Sequence, residues 1–291
     1  MNIGEKIKNL RTSKLMTQKE LAGDGITRNM LSQIENGSSM PSLSTLVYLA
    51  DRLGAPVGYL VSDGGTNETF YKKYSNYTNI VESYKSGEWA ICRDLCLECI
   101  SDGSDNEITY ILAKASLHLG EAYFCDGNLR AAAKMFEETI EYSALTVFEV
   151  GEIIFRVSAY SELMSRISPS LILEIPESLR QSDIVCLGDI CRFAAYISGQ
   201  GECISIPPEN VWKNPCYFYA LSAKASMMNN NYEAAITLLS HICEENSLPK
   251  PIMYFVFDDY EKCCKETDDY KDAYELSQAK IQLFEKMLAD I

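Results

Sequence analysis

Four polar residues recur at helical spacing within the segment TRNMLSQIENG: Arg28, Asn29, Ser32 and Gln33. This spacing places them on one face of a helix. Arginine can bond guanine through two N–H groups, asparagine and glutamine can bond adenine in a similar two-point way, and serine can bond either base. The face therefore has the groups needed to read base edges. A merely solvated polar face is the alternative, and the position of the helix in its domain bears on the choice.

Five short helices are predicted around this face within residues 1–63. The sequence TQKE forms a capping box that starts the second helix after Thr17. Gly23 and Gly25 indicate a tight turn, and Thr27 then caps the third helix, which carries the polar face. A glycine turn between the second and third of several short helices predicts a helix-turn-helix domain, whose second motif helix enters the major groove.

Residues 3–60 resemble the lambda-repressor-like (Xre) family through the segments TQKELA, LSQIENG and PSLSTLVYLADRLG. The resemblance implies that Gln18 touches a phosphate or a neighbouring base, that the polar face reads bases, and that Asn36 bonds the phosphate backbone. It also implies an internal ion pair between Arg11 and Glu35. The turn between the second and third helices is one residue shorter than in typical phage repressors. The predicted DNA-binding residues are Gln18, Thr27, Arg28, Asn29, Ser32, Gln33 and Asn36.

The distribution of charge accommodates a polyanionic partner although the formal net charge is −15. Residues 1–63 contain seven of the 26 basic residues and six of the 41 acidic ones, so the remainder carries a net −16. Salt screens exposed charges over about 8 Å at physiological ionic strength. A mildly positive N-terminal domain can therefore approach DNA if the acidic remainder is held back from it.

The composition favours a cytoplasmic protein without a metal or cofactor. Eleven cysteines are an odd number, and only two histidines accompany them, so neither a disulfide framework nor a structural zinc site is expected. We interpret the cysteines as small buried apolar residues. The sequence contains no apolar run of the roughly 20 residues that a membrane helix needs, and its first residues have no signal-peptide pattern.

Beyond residue 68 the sequence predicts helices with a recurring turn pattern. The segment LGEAYFCDGNLRAAAKMF, residues 119–136, matches a tetratricopeptide repeat, and residues 222–242 match the same pattern. Weaker copies lie at residues 83–100 and 263–281. The expected fold is all-α, with an N-terminal five-helix helix-turn-helix domain and a C-terminal tetratricopeptide-like α-solenoid. An irregular helical bundle is the alternative to the solenoid.

A solenoid offers a concave groove lined by the first helix of each repeat. Aromatic, methionine and polar side chains at such positions suit a short peptide, although core packing explains any one of them equally well. The expected lining comprises Tyr74, Tyr77, Lys114, Leu117, His118, Glu121, Phe124, Tyr217, Leu221, Lys224, Met227 and Met228.

This order of domains resembles the peptide-pheromone-responsive regulators of Gram-positive bacteria (the RRNPP group). The resemblance implies a homodimeric transcription regulator that binds a near-palindromic operator and is controlled by a short intracellular peptide, as in quorum sensing. The predicted organisation is a DNA-binding domain at 1–63, a linker at 64–69 and a ligand-sensing, dimerisation domain at 70–291.

Two other functions stay open at this point, namely a protein-interaction adaptor anchored to DNA and a ligand-independent repressor. An enzyme is not expected, because the sequence has no P-loop, G-x-G-x-x-G, H-E-x-x-H or G-x-S-x-G motif.

Overall fold

The computed structural model describes residues 2–61, 66–100, 105–180, 188–198 and 206–289, with the backbone alone for 66–75. Every helix and strand assignment in these ranges is helical, which confirms the all-α prediction. None of the helices in these ranges is both long and apolar enough to cross a membrane. The chain divides into two compact units, Met1–Ser104 and Asp105–Ile291.

The first unit begins with the five predicted short helices, whose N-termini are capped by side chains. Asn2, Thr17, Thr27 and Ser42 each accept a hydrogen bond from a backbone N–H in the first turn of the helix that follows. The five helices are α1 (Ile3–Ser13), α2 (Gln18–Ala22), α3 (Arg28–Glu35), α4 (Leu43–Leu53) and α5 (Val57–Val61).

These five helices surround one apolar core. Its fully buried members include Ile7, Leu21, Leu31, Leu49 and Leu60, one from each helix. Helix α1 approaches the end of α3 so closely at Gly4 that a Cβ there would clash with the carbonyl oxygen of Ile34. The core therefore fixes the orientation of α3, and with it the predicted base-reading face.

Two further helices, α6 (Thr66–Ser86) and α7 (Trp89–Cys99), complete the first unit. Helix α6 includes residues 66–69, which the sequence placed in a linker, while residues 62–65 lie outside the described ranges. Contacts group α6 and α7 with the short helices. The predicted boundary near residue 63 stays a prediction.

The described residues of the second unit form eight α-helices packed as consecutive pairs. The pairs are α8 (Asn106–Cys125) with α9 (Leu129–Leu145), α10 (Gly151–Ile167) with α11 (Asp189–Ile197), α12 (Pro215–Met228) with α13 (Tyr232–Glu245), and α14 (Lys250–Glu266) with α15 (Tyr270–Leu288). Short 3-10 turns at Pro169–Leu171, Glu177–Leu179 and Glu209–Val211 occupy the connections on either side of α11.

The four predicted repeat copies all fall on helix-to-helix turns. Each turn contains one residue in the left-handed backbone region, at Gly87, Gly127, Asn230 and Asp268, with φ between 57° and 80°. Glycine and asparagine adopt that conformation with the least strain. The sequence therefore identified the turns of α6–α7, α8–α9, α12–α13 and α14–α15, and the prediction of helical repeats is confirmed.

The last helical pair also contacts the first pair of the second unit. The Nζ of Lys250 at the start of α14 donates to the carbonyl oxygen of Asp126 at the end of α8, over 2.7 Å. Helix α14 additionally packs on α10 and α12. Because of these contacts, one continuous apolar core runs through all four pairs.

Most cysteines of the described residues lie in the interior, among them Cys92, Cys96, Cys216 and Cys263. They pack as small apolar side chains, in agreement with the sequence interpretation. No group of three or more histidine, cysteine, aspartate or glutamate side chains in the described residues could hold a metal ion.

Candidate nucleic-acid interface

Helix α3 separates its core side from its solvent side in the way that the sequence predicts. Leu31 and Ile34 are buried, and Ile26, just before the helix, is half-buried against the same core. The predicted DNA-binding residues in and beside α3 lie on the surface: Thr27, Arg28, Asn29, Gln33 and Asn36 are exposed, and Ser32 is half-buried.

The side chains on the solvent side of α3 are available to a ligand. In the described part of the chain, no hydrogen bond or ion pair engages the side chains of Arg28, Asn29 or Gln33. Thr27 differs, because its hydroxyl accepts from the backbone N–H of Met30 and so caps the helix. The structure thus brings three of the residues predicted to read bases together on one helix, which begins at Arg28.

A polar network behind α3 ties it to α1 and α2. The guanidinium of Arg11 donates two hydrogen bonds to the carboxylate of Glu35, at 2.6 and 3.1 Å, and a third to the carbonyl oxygen of Met16 at 2.8 Å. The hydrogen bond to Glu35 raises the pKa of Arg11. The internal ion pair implied by the family resemblance is therefore present, and its carboxylate is buried.

Gln18 belongs to this network, which its sequence position did not reveal. Its side-chain amide donates to the second carboxylate oxygen of Glu35 over 2.8 Å. Gln18 is half-buried, so the same amide group can still reach a ligand with its second N–H. The Glu35 carboxylate of α3 therefore fixes the position of the Gln18 side chain for any contact with DNA.

The turn between α2 and α3 is built on Tyr48 of α4. The hydroxyl of Tyr48 donates to the carbonyl oxygen of Ala22 at 2.8 Å and accepts from the N–H of Gly25 at 3.2 Å. A Cβ on Gly25 would overlap the Tyr48 ring, and Gly23 has φ +51° and a Cβ on it would lie 2.6 Å from the Tyr48 hydroxyl oxygen. Both glycines are thus required by the close approach of this turn to one aromatic ring.

Arg52 of α4 holds the other side of the same turn. Its guanidinium lies 5.7 Å from the centre of the Tyr48 ring and donates to the carbonyl oxygen of Glu20 at 2.5 Å. Tyr48 and Arg52 therefore fix the angle between the two helices of the motif without reaching the surface that α3 presents.

The residues predicted to line a peptide groove fall into different environments. Those in the core are Leu117, Phe124, Tyr217 and Leu221, each less than 5% exposed. Those half-buried are Lys114, His118, Glu121, Lys224 and Met227. Met228 and Tyr77 are exposed, Tyr77 being part of the first unit, and the side chain of Tyr74 lies outside the described residues.

Two ion pairs link the first helices of successive pairs in the second unit. The guanidinium of Arg156 on α10 binds both carboxylate oxygens of Glu121 on α8, which also contacts the Nδ1 of His118 at 3.1 Å. Lys224 on α12 contacts the carboxylate of Asp259 on α14 at 2.5 Å. Glu121 and Arg156, and Lys224 and Asp259, therefore pair across the first helices of the four pairs.

Tyr160 and Tyr217 contribute rings to the buried core beside those ion pairs. Tyr160 stacks on Phe136 and meets Phe124 edge to face, with ring centres 5.1 and 4.9 Å apart. Burial raises the pKa of both tyrosines, so both hydroxyls stay protonated at neutral pH.

Comparison with known proteins identifies the first five helices. The family model described as Helix-turn-helix matches residues 7–60. The chain is also 34% identical to the cryptic phage CTXphi transcriptional repressor RstR of Vibrio cholerae, over 84 residues that make up 28% of this chain and 74% of the repressor. The chain belongs to the helix-turn-helix family. It is a DNA-binding transcription regulator, and its family is one of regulators and not of enzymes.

Solved structures similar along the length of this regulator superpose on it only loosely. PlcR of Bacillus thuringiensis in complex with the peptide PapR7 and DNA is 14% identical, with 99% of both chains covered and a TM-score of 0.22. ComR of S. thermophilus in complex with DNA and its signalling peptide ComS is 16% identical, with 99% and 95% covered and a TM-score of 0.25. The PrgX/cCF10 complex is 13% identical, with 99% and 100% covered and a TM-score of 0.21.

Four residues that organise this regulator were not singled out from its sequence. Arg52 and Tyr48 shape the motif turn, while Arg156 and Asp259 complete the ion pairs of the inner helices. Gly23 and Gly25 indicate that another group packs closely against the turn, but that group, the ring of Tyr48, lies 23 residues after Gly25 in the sequence. For Arg156 and Asp259 no local signal exists, because each partner lies on another helical pair.

Proposed function

We propose that this regulator binds a near-palindromic operator as a homodimer, with helix α3 of each copy in the major groove. The observation that carries the proposal is the exposed face of Arg28, Asn29 and Gln33 on a helix fixed by the Arg11–Glu35–Gln18 network. Two such helices would read half-sites about 34 Å apart. Ser32 would contact a base edge beside them. Gln18, Thr27 and Asn36 would hydrogen-bond the sugar-phosphate backbone of the DNA near the two ends of α3.

Selection from random double-stranded DNA by the full chain identifies the operator sequence. The selected molecules should share a motif with two-fold symmetry, and fluorescence anisotropy then measures affinity for it. Arg28→Ala should cost about 1–3 kcal/mol and relax the preference at one base position in each half-site. Lys134→Ala removes an exposed cation from α9 and serves as the control. Unchanged affinity and preference in Arg28→Ala would refute the assignment of α3.

For the second unit we infer a short peptide as the controlling ligand, bound along the first helices of the pairs. The support is chemical. Half-buried Lys114, His118 and Lys224 lie on the helices that also carry buried Phe124 and Tyr217. A peptide needs both hydrogen-bonding groups for its main chain and apolar pockets for its side chains. Peptide binding would shift the population between dimer arrangements that differ in operator affinity.

A mixed pool of synthetic peptides five to eight residues long tests this second proposal. Peptides retained by the full chain should change its operator affinity, and Lys224→Met should reduce that response while leaving DNA binding without peptide intact. Lys134→Met is the matched control on an exposed helix face. No retained peptide, together with constant operator affinity, would favour a ligand-independent repressor. Competition by a protein partner instead of a peptide would favour an adaptor.

A further inference from the structure

Beside helices α10 and α11 lies an open cavity of about 420 Å³ that the repeat pattern does not explain. Its walls are α10, α11 and the chain segment 172–175 between them. Part of the lining is apolar and is called the floor here; it includes Phe155, Ala159, Leu173, Ile175 and Ala194. The volume is that of roughly a dozen water molecules, which corresponds to a small organic ligand.

One group of polar side chains in the wall presents acceptors. The hydroxyls of Ser158, Ser165 and Ser198 each donate their proton to a backbone carbonyl of their own chain segment, at 2.8, 2.9 and 2.9 Å. Their lone pairs are therefore what faces the cavity. Glu162 also lines it, with one carboxylate oxygen bound to Arg166 at 2.8 Å and the other left to accept.

A second group supplies donors. Ser161 is 94% buried and lines the cavity, and its Oγ accepts from the N–H of Leu173 at 3.0 Å. No acceptor for the hydroxyl proton of Ser161 occurs among the described residues, so this proton remains available. Arg180 lines the cavity from its rim, and within the described ranges its guanidinium takes part in no hydrogen bond or ion pair.

We propose that this cavity binds a small zwitterion with an apolar side chain, namely a free amino acid or a dipeptide. The ligand ammonium would face Glu162 and the serine lone pairs, the ligand carboxylate would face Arg180 and the Ser161 hydroxyl, and the apolar side chain would fill the floor. Opposite charges around one small cavity favour a ligand that carries both, because a ligand with a single charge can pair with only one of Glu162 and Arg180. This site is separate from the proposed peptide surface, and direct binding tests it whatever the outcome for that surface.

Isothermal titration of the full chain with four probes tests the proposal: leucine, leucyl-leucine, N-acetyl-leucine, which lacks the ammonium, and leucinamide, which lacks the carboxylate. One of the two zwitterions should bind saturably, and its size distinguishes an amino-acid site from a dipeptide site. Each blocked analogue should bind at least about tenfold more weakly, the usual loss for one charge-assisted hydrogen bond.

Three variants assign the roles of the charged groups. Glu162→Gln should weaken leucine binding about tenfold and leave N-acetyl-leucine unaffected, while Arg180→Gln should weaken leucine and leave leucinamide unaffected. Arg166→Gln removes a guanidinium that pairs with Glu162 outside the cavity lining, and it should preserve or strengthen binding. Circular dichroism confirms that each variant is folded.

Several results would overturn the proposal. The first is no saturable binding of leucine or leucyl-leucine at millimolar concentration. The second is equal binding of the zwitterions and their blocked analogues, which would mean that apolar contact alone holds the probe. The third is zwitterion binding that neither Glu162→Gln nor Arg180→Gln alters, which would place the bound ligand elsewhere on the chain.

Discussion

The turn between α2 and α3 yields a prediction about how helix α3 is held in place. In Gly25→Ala, the new methyl group would occupy the volume of the Tyr48 ring, so the ring must move. Two hydrogen bonds of its hydroxyl, to Ala22 and from Gly25, would be lost. At about 1 kcal/mol each, with about 0.5 kcal/mol for the exposed contact with Arg52, the loss is near 2.5 kcal/mol.

One gain offsets part of this loss. Gly25 does not have a positive φ, so alanine fits the backbone and restricts the unfolded chain by about 0.4–1 kcal/mol. Gly25→Ala should therefore destabilise the α2–α3 turn by about 2 kcal/mol. Hydrogen exchange with mass spectrometry, applied to the full chain, measures the effect as faster exchange in residues 18–36 while the second unit is unchanged.

A double-mutant cycle with Tyr48→Ala isolates the steric cause. Once the ring is absent, Gly25→Ala should be neutral or stabilising by about 0.5 kcal/mol, which gives a coupling energy of about 2–3 kcal/mol. Tyr48→Phe separates the hydrogen bonds from the ring, because it removes only the hydroxyl and should cost about 1–2 kcal/mol. If Gly25→Ala costs the same in both backgrounds, the clash with Tyr48 is not what constrains the turn.

Four other substitutions test separate parts of the structure. Gln18→Ala should lower operator affinity about equally for all sequences and also speed hydrogen exchange in α3, because the Glu35 carboxylate loses a donor. Ser116→Ala should raise the free energy of unfolding in urea by about 1 kcal/mol, since its buried hydroxyl has no hydrogen-bond partner among the described residues. Thr139→Val loses the hydrogen bond to the Met135 carbonyl oxygen and should lower the free energy of unfolding. Lys250→Met removes the hydrogen bond to the Asp126 carbonyl oxygen, so it should lower the free energy of unfolding by about 1–2 kcal/mol and speed hydrogen exchange near Asp126.

Local sequence signals predicted the first five helices and the turns of the helical pairs. Caps at Thr17, Thr27 and Ser42 and left-handed residues such as Gly127 act within one or two turns of the chain, so their effect can be read from neighbouring residues. The solvent face of α3 was predictable for the same reason, because helical spacing alone separates Arg28 and Asn29 from the core.

The environment of the proposed groove residues could not be predicted in this way. Periodicity distinguishes a side chain that points inward from one that points outward, but it does not say whether the inner side is open or packed. Phe124 and Leu221 lie on the expected side of their helices and are fully enclosed there, whereas Lys224 on the same side is half-buried by its ion pair with Asp259. Phe124 packs against Tyr160 of α10 and Lys224 pairs with Asp259 of α14, and each of these partners lies far away in the sequence.

Closure of the second unit explains why its repeats are irregular. A periodic solenoid needs contacts only between neighbouring repeats, so each copy can keep the same pattern. Here Lys250 bonds to Asp126 across 124 residues, and Met287 of the last helix lies close to Gly127 in the first turn. Side chains at these positions must pack against a helical pair that is not adjacent in the sequence. A residue pattern that serves only contacts between adjacent repeats does not provide such side chains. The repeat signal is retained in left-handed turn residues such as Gly127, whose backbone conformation is set locally, and is lost along helices such as α10 and α14 that meet distant parts of the unit.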